Sequence, residues 1–126
     1  MIKLTFCLHR LPHLSRAEFQ TYWRETHGPL VASVQAPLRI RRYVQTHSMP
    51  EETEAELRRV RGGPPGYDGV AELWWDSMDD LAITASDPVA VDAARLLLED
   101  ERTFIDLPRS PLWWGTEHVV IGVPTA

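Results

Sequence analysis

The chain of 126 residues has 44% hydrophobic and 25% charged residues, which is ordinary for a single globular domain. Its formal net charge is −5 and its 13 Lys and Arg residues form no basic stripe, which excludes the charge pattern of a nucleic-acid-binding protein and disfavours an anionic membrane surface. No apolar stretch approaches the length of about 20 residues that crosses a bilayer. The single cysteine, Cys7, cannot form an internal disulfide and no signal-peptide pattern is present, so a cytoplasmic protein is expected.

The first predicted elements are a strand and a helix. Residues 2–9 alternate between apolar and polar side chains, which predicts a half-buried strand. Ser15 and Glu18 have the spacing of a capping box at a helix start. Gly28 followed by Pro29 predicts that this helix ends there and that a second helical piece begins. Residues at helical spacing form one core-facing stripe, which consists of Phe19, Tyr22, Trp23, Thr26 and His27.

Three further strands are predicted from period-two alternation. They cover residues 39–47, 67–75 and 112–123. Residues 48–66 lie between the second and third strands and are polar, charged and rich in Gly and Pro. This composition predicts a long flexible loop, with at most one helical turn in it.

Two further helices are predicted, one opening near Ser77 and one at Asp87, where Asp as cap and Pro88 at the first helical position favour an N-terminus. Val91, Ala94 and Leu98 are expected on the core side of the second helix. The element order β-α-β-loop-β-α-β predicts one α+β domain over residues 1–126, with a ferredoxin-like βαββαβ arrangement. A four-stranded antiparallel sheet would carry its helices on one face.

The other face of such a sheet would be uncovered. It carries either Ile2 and the apolar residues that alternate with it along the first strand, or the opposite set. An apolar open face is unfavourable in water, so we predict that it packs against a second copy of the chain and forms a homodimer.

Several motifs resemble those of the EthD family. They are, in chain order, SRAEFQTYWRETHGPLVA, RRYVQTH, YDGVAELWWDSMDDL, DERTFID and EHVVI. The F-x-x-Y-W-x-x-x-H-G-P block and the terminal E-H-V-V-I are the most specific of them. The resemblance implies a dimeric α+β barrel, in which two ferredoxin-like sheets close on each other. It also implies a cavity between sheet and helices, because relatives that are cofactor-free cyclases, dehydratases, monooxygenases and lactone isomerases share one.

His27 and Tyr43 are the first two candidates for catalysis. His27 is either a buried structural group or a general acid or base, since an imidazole titrates near neutral pH. Tyr43 shares a strand face with Gln45 and His47. If that face meets the helices, the Tyr43 hydroxyl could stabilise a developing oxyanion; otherwise the row faces water.

Glu72 and His118 are the other two catalytic candidates. Glu72 is either a buried base with a raised pKa or the partner of Arg41 or Arg42 in an ion pair. Glu117 and His118 are adjacent on the fourth predicted strand, where neighbouring side chains face opposite ways. Only one of the two can line the cavity, and we choose His118.

The candidates for substrate binding are aromatic and polar side chains near these residues. Trp23 together with Trp74 or Trp114 could form a flat slot for an aromatic ligand. His27, His47 and Glu72 could in principle hold a metal, but we expect neither a metal nor a cofactor. The full set of predicted substrate-binding residues is Phe19, Trp23, Gln45, His47, Trp74, Phe104, Asp106 and Trp114.

The functional prediction is a cofactor-independent enzyme of the lyase, isomerase or cyclase type. It would abstract a proton next to a carbonyl of a small aromatic, polyketide-like or lactone substrate, and dehydration, decarboxylation, isomerisation or ring closure would follow. One alternative is a non-catalytic protein that binds a hydrophobic metabolite. Another is a cofactor-free monooxygenase.

Overall fold

The computed structural model describes residues 1–124 and contains the predicted four-stranded sheet. The strands are β1 (Ile2–Leu8), β2 (Arg42–His47), β3 (Gly69–Trp75) and β4 (Leu112–Gly115). Their order in the sheet is β2-β3-β1-β4, and every neighbouring pair is antiparallel. The predicted α+β class and ferredoxin-like topology are therefore confirmed.

Helical segments cover one face of this sheet and build the core against it. They are α1 (Arg16–Tyr22), a π-helical turn (Trp23–His27), α2 (Gly28–Ser33), α3 (Gln35–Leu38), α5 (Met78–Ser86) and α6 (Pro88–Glu101). Another helix, α4 (Glu51–Arg61), follows β2 and has no buried residue. The largest fully buried side chains are Trp23, Phe19, Phe104 and Leu8, which lie in one cluster with Phe6 and Ala71 of the sheet. None of the helices in residues 1–124 combines the length and the apolarity needed to cross a bilayer.

The first helix begins as predicted but does not end at Gly28. Ser15 caps α1, and its hydroxyl and the Glu18 carboxylate form the expected capping box. Gly28 has φ −54° and ψ −53°, which is ordinary right-handed helix, so the chain continues into α2. Pro29 has no N–H, and in a regular α-helix its ring would clash with the carbonyl four residues earlier. The π-helical turn over Trp23–His27 accommodates the proline without ending the helix.

The strand register determines which side chains face the helices. Leu4 pairs with Leu73 of β3, and Tyr43 of β2 pairs with the same residue, so all three share the covered face. The Ile2, Leu4, Phe6 and Leu8 set is therefore the covered one. The uncovered face is mixed in character: Trp74 lies there beneath the cations of Lys3 and Arg42, at 5.5 and 5.1 Å from its ring centroid.

Residues 48–66 are not a simple loop. They contain a helix, α4 (Glu51–Arg61), which ends at Gly62 with a left-handed φ of 65°. Glutamates occupy its first turn and arginines its last turn, which suits the helix dipole, and Arg58 forms ion pairs with Glu51 and Glu54. The prolines and glycines that predicted a loop lie at the two ends of the helix.

The fourth strand and the buried face of α6 also differ from prediction. β4 ends at Gly115, which pairs with Lys3. Residues 116–123 would need partners that precede Lys3 in the chain, and β1 begins only one residue earlier, at Ile2.

In α6 the buried side chains are Ala90, Ala93 and Leu97, whereas Val91 and Leu98 are exposed. The apolar side chains of α6 lie on several sides of the helix, so helical spacing alone could not show which of them face the core. Thr26, predicted on the core stripe of the first helix, is also exposed.

Gly69 permits the close packing of Trp23 on the sheet. A Cβ at Gly69 would lie 2.4 Å from Cζ3 of Trp23 and 2.8 Å from the Thr46 carbonyl oxygen. We expect Gly69→Ala to lower the free energy of unfolding by about 1–3 kcal/mol, as overpacked cores do. Urea unfolding measures this. Gly115→Ala is the matched control, because a Cβ there meets nothing within 4 Å; equal stability of the two variants would contradict the packing argument.

A candidate acid–base site between sheet and helices

A cavity of about 290 Å³ lies between the covered face of the sheet and the helices. Its wall is mostly aliphatic and aromatic, with side chains from β1, β2, β3 and α6. The polar side chains that reach it are few: His27, Tyr43, Thr84 and Glu101. An apolar cavity with a small number of converging polar groups is the usual form of a small-molecule site.

His27 is brought to this cavity by the π-helical turn and is held by a carboxylate. Its side chain is buried, and Nδ1 lies 2.7 Å from Oδ2 of Asp100 at the end of α6. Burial lowers the pKa of His27, and the bond to Asp100 opposes that shift without cancelling it. The ring is therefore neutral at neutral pH. Because the carboxylate can only accept, Nδ1 carries the proton and Nε2 has the free lone pair.

Asp100 is itself oriented by a second donor. The Tyr22 hydroxyl donates to Oδ1 of Asp100 at 2.5 Å, and this bond is the largest cause of the raised pKa of Tyr22. Asp100 thus accepts one hydrogen bond on each oxygen, from Tyr22 and from His27. The arrangement holds the imidazole in one orientation and stabilises a positive charge on it if it takes a proton.

Glu101 supplies a second titratable group on the cavity wall. It lies one turn after Leu97 on the buried stripe of α6, so its carboxyl group is carried toward the sheet. Burial, and secondly the charge of Asp100, raise the pKa of Glu101 to about 7. At neutral pH a substantial fraction of Glu101 is therefore protonated and can donate.

The polar row on β2 faces the helices. Burial raises the pKa of Tyr43, while hydrogen bonds from Gln45 and from the Trp23 side chain act in the opposite direction. The Gln45 amide nitrogen lies 2.8 Å from the Tyr43 hydroxyl and 2.9 Å from the Trp23 carbonyl oxygen. His47 stacks on Trp23 with ring centroids 4.4 Å apart, and its Nε2 lies 2.8 Å from Oε1 of Gln45.

The sequence model of the EthD domain matches residues 11–108, a span that includes the polar side chains of the cavity, His27, Tyr43, Thr84 and Glu101, and also Asp100. The chain belongs to the EthD family.

Individual relatives agree with this assignment. The conidial pigment biosynthesis dehydratase EthD of Metarhizium robertsii is 25% identical, and the match covers 91% of this chain and 81% of that protein. An EthD family protein from Bacillus halodurans superposes with a TM-score of 0.59 at 16% identity, covering 94% and 100% of the two chains. A dimeric protein of unknown function with a ferredoxin-like fold from Bacteroides fragilis superposes with a TM-score of 0.53 at 13% identity, covering 90% and 93%. At these identities the structural matches show the fold.

Three of the predicted site residues of this EthD chain lie on the opposite face of the sheet from the cavity or beyond the last strand. Glu72 faces the uncovered side of the sheet, where its Oε2 lies 2.6 Å from Nζ of Lys3, so it forms an ion pair with a lysine and not with an arginine. Trp74 is on the same side and donates through Nε1 to Glu117. His118 follows the end of β4 and is exposed. For Glu72 and Trp74 the physical reason is the pleat: alternate residues of β3 point to opposite faces, and the faces were interchanged in the prediction for this strand. For His118 the reason is that β4 ends at Gly115.

The same register excludes the metal site considered from the sequence. Glu72 and His47 lie on opposite faces of the sheet, so they cannot share a ligand set with His27. Within residues 1–124, no three His, Cys, Asp or Glu side chains come together in a way that could hold a metal ion.

The remaining predicted binding residues support the site or lie at its edge. Phe19 and Phe104 are almost fully buried and pack with centroids 5.5 Å apart, and Phe104 also packs on His27 at 5.0 Å. Asp106 forms an ion pair with Arg109 outside the cavity. Trp114 is on the covered face, edge-on to Trp75 at 5.4 Å, but is 44% exposed.

Sequence analysis missed Asp100 and Glu101, which the EthD family motif DERTFID contains. The signal for Glu101 was its position four residues after Leu97, on an otherwise apolar stripe. Asp100 had no comparable signal, because its role comes from contacts with residues more than 70 positions earlier, at separations of 73 and 78.

Proposed function

We propose that this protein is a cofactor-independent dehydratase, a lyase that removes water from a small aromatic, polyketide-like or lactone substrate with a hydroxyl group β to a carbonyl. The observation that carries the proposal is the presence on one cavity of a neutral His27 paired with Asp100 and of Glu101 with a pKa near 7. An elimination needs one proton acceptor and one proton donor at the same pH, and these two groups can provide them.

In the first half of the reaction, Nε2 of His27 removes a proton from the carbon next to the substrate carbonyl. Asp100 stabilises the imidazolium that forms, as it already accepts from Nδ1. The negative charge moves to the carbonyl oxygen, and the Tyr43 hydroxyl donates a hydrogen bond to it. The aliphatic wall of the cavity excludes water, which strengthens both interactions.

In the second half, the electron pair of the enolate forms the carbon–carbon double bond as the β hydroxyl leaves. Glu101 gives its proton to that hydroxyl, so that water departs and a carboxylate remains. Transfer of the proton from His27 to Glu101, through solvent, restores the starting state. The overall reaction is redox-neutral, so it needs no oxidant or reductant.

Two independent facts support dehydration over the other reactions that begin with the same proton abstraction. Isomerisation and decarboxylation do not require an acid for a leaving hydroxyl, and Glu101 has the pKa of such an acid. The relative from Metarhizium robertsii is named a dehydratase.

The test is to incubate the purified protein, without air, with a panel of aromatic and polyketide-like β-hydroxy carbonyl compounds and to follow loss of water by mass spectrometry. Conversion that is absent from a His27→Gln control supports the proposal. Tight binding without conversion would replace it with the function of a binding protein. A product that forms only when oxygen is admitted would replace it with a monooxygenase.

We also propose that the protein functions as a homodimer through its uncovered sheet face and the adjoining end of the chain. Trp113 on that face is 50% exposed, and Val120 and Ile121 beyond it are 92% and 94% exposed. Apolar side chains exposed to this extent are typical of interfaces. The ferredoxin-like relative from Bacteroides fragilis, described as dimeric, gives the same expectation.

Light scattering after size exclusion measures the oligomeric state. The wild type is expected to be a dimer, and the double variant Val120→Asp, Ile121→Asp a folded monomer, because desolvating two carboxylates at an interface is costly. The matched control is Val91→Asp, Leu98→Asp on the exposed side of α6, which should stay dimeric. A monomeric wild type, or a dimer unaffected by the first pair of substitutions, contradicts the proposal.

A further inference from the structure

We infer that Gln45 is a positioning residue that turns the Tyr43 hydroxyl proton into the cavity, where Tyr43 can donate it to an oxyanion. This role rests on the oxyanion chemistry of the proposed function. The hydrogen bonds along β2 determine this role, because each group in the row fixes whether its neighbour donates or accepts.

The orientation of the Gln45 amide is determined by the backbone of the π-helical turn. Its Nε2 position lies 2.9 Å from the carbonyl oxygen of Trp23, which already accepts from the Gly28 N–H. A carbonyl oxygen can only accept, so the group facing it must be the NH₂ of the amide. The oxygen Oε1 therefore points the other way, toward His47.

His47 is consistent with this orientation and maintains it. Its Nε2 lies 2.8 Å from Oε1 of Gln45, so Nε2 must carry a proton and donate. Burial, and secondly the positive charge of Arg24, lower the pKa of His47, so the ring is neutral with its proton at Nε2. Stacking on Trp23, with centroids 4.4 Å apart, fixes the plane of the ring.

The second hydrogen of the Gln45 NH₂ is directed at the Tyr43 hydroxyl oxygen, 2.8 Å away. A hydroxyl has one proton to give and two lone pairs that accept. Gln45 occupies one lone pair, and the Trp23 side chain also acts as a donor to this oxygen. Among residues 1–124 the hydroxyl donates a hydrogen bond to no protein acceptor, and Tyr43 lines the cavity, so the proton is available to a ligand there.

Gly28 is part of the same arrangement. A Cβ at this position would lie 3.3 Å from Nε2 of Gln45, which is tighter than ordinary contact. The absence of a side chain lets the amide reach the Trp23 carbonyl. The glycine of the His-Gly-Pro motif thus has a role that does not depend on ending a helix.

The experiment measures hydrogen-bond donation to an oxyanion without any reaction. The probe is a fluorinated para-nitrophenol, acidic enough to be ionised while Glu101 is still protonated, and its visible absorption band shifts when its oxygen accepts a hydrogen bond. The wild type should bind it with a shifted band. Tyr43→Phe and Gln45→Glu should each bind it roughly 10- to 100-fold more weakly and without the shift, as expected when a bond to a charged group is lost.

Gln45→Glu is the decisive variant because a carboxylate has no N–H and accepts the Tyr43 proton itself. Gln45→Leu adds no acceptor, so its affinity for the phenolate should lie between those of Gln45→Glu and the wild type. If Gln45→Glu does not fold, Gln45→Leu takes its place in the comparison. Adding the uncharged Gln45→Leu to Tyr43→Phe should weaken binding no further, since Gln45 acts only through the hydroxyl and leucine brings no charge that repels the phenolate. A purely structural role would weaken binding in both backgrounds.

A wild type that does not bind the phenolate with a shifted band, or a Gln45→Glu variant that binds it as the wild type does, overturns the inference. Because the probe does not react, this outcome is separate from dehydration. A shifted band in a protein that dehydrates no substrate refutes the proposed reaction and leaves the role of Gln45 standing.

Discussion

His27→Gln is expected to lower kcat/KM for water elimination by about 10²–10⁴-fold while the protein stays folded. Glutamine can still donate an amide hydrogen toward Asp100, which now accepts from His27 at 2.7 Å, but it has no basic nitrogen. Steady-state kinetics on the substrate identified by mass spectrometry gives the ratio. Circular dichroism and urea unfolding show whether the variant keeps its structure.

His13→Ala is the matched control, because it removes an exposed histidine outside the cavity and should leave kcat/KM unchanged. Full activity of a folded His27→Gln protein would remove the histidine from the reaction. Unfolding of His27→Gln together with full activity of an Asp100→Asn variant would assign the pair a structural role instead.

Glu101→Gln is expected to lower kcat on the order of 10²-fold and to remove the decline of activity at high pH. In the wild type, the reaction needs His27 without its proton and Glu101 with its proton. Activity therefore rises as pH passes the lowered pKa of His27 and falls as pH passes about 7. Glutamine does not titrate, so the descending limb should disappear, and a profile of kcat/KM against pH measures it.

Glu101→Gln should also change how the free energy of unfolding depends on pH. The pKa of Glu101 is raised from 4.5 to about 7, so the folded state holds this proton more tightly than the unfolded state does. The stabilising contribution of Glu101 is complete below pH 4.5 and is lost as pH rises through about 7, by up to about 3 kcal/mol. Glu101→Gln should remove this loss, which urea unfolding on both sides of the interval measures. A wild type whose stability does not fall across the interval would contradict the buried, protonated carboxyl.

Local patterns in the sequence account for much of the fold. The alternation of residues 2–9 reflects a strand with one face in the core, and the spacing of Ser15 and Glu18 produces the capping box that starts α1. These features depend on residues close together in the chain, so their physical cause can be read from the sequence. The EthD motifs gave the family, and the family model confirms it.

The predictions that were wrong concern boundaries and faces. β4 stops at Gly115 because its partner β1 runs out, which depends on a register between residues more than a hundred positions apart. Val91 was assigned to the core, but α6 is apolar around its circumference, and only its position against the sheet determines which side is buried. α4 was predicted as one helical turn at most, because the prolines and glycines that flank it outweighed its charge pattern.

For the candidate site too, local features could be predicted from the sequence and long-range contacts could not. The amino-acid order determined that His27 lies on the inner side of the first helix and that Tyr43, Gln45 and His47 share one strand face, because helical and strand periodicity act over a few residues. Only the tertiary structure decided that Glu72 faces away, that Asp100 holds His27, and that Glu101 titrates near neutral pH. Pairing and burial depend on elements distant in sequence meeting in space, and the free energy of a charge depends on those neighbours.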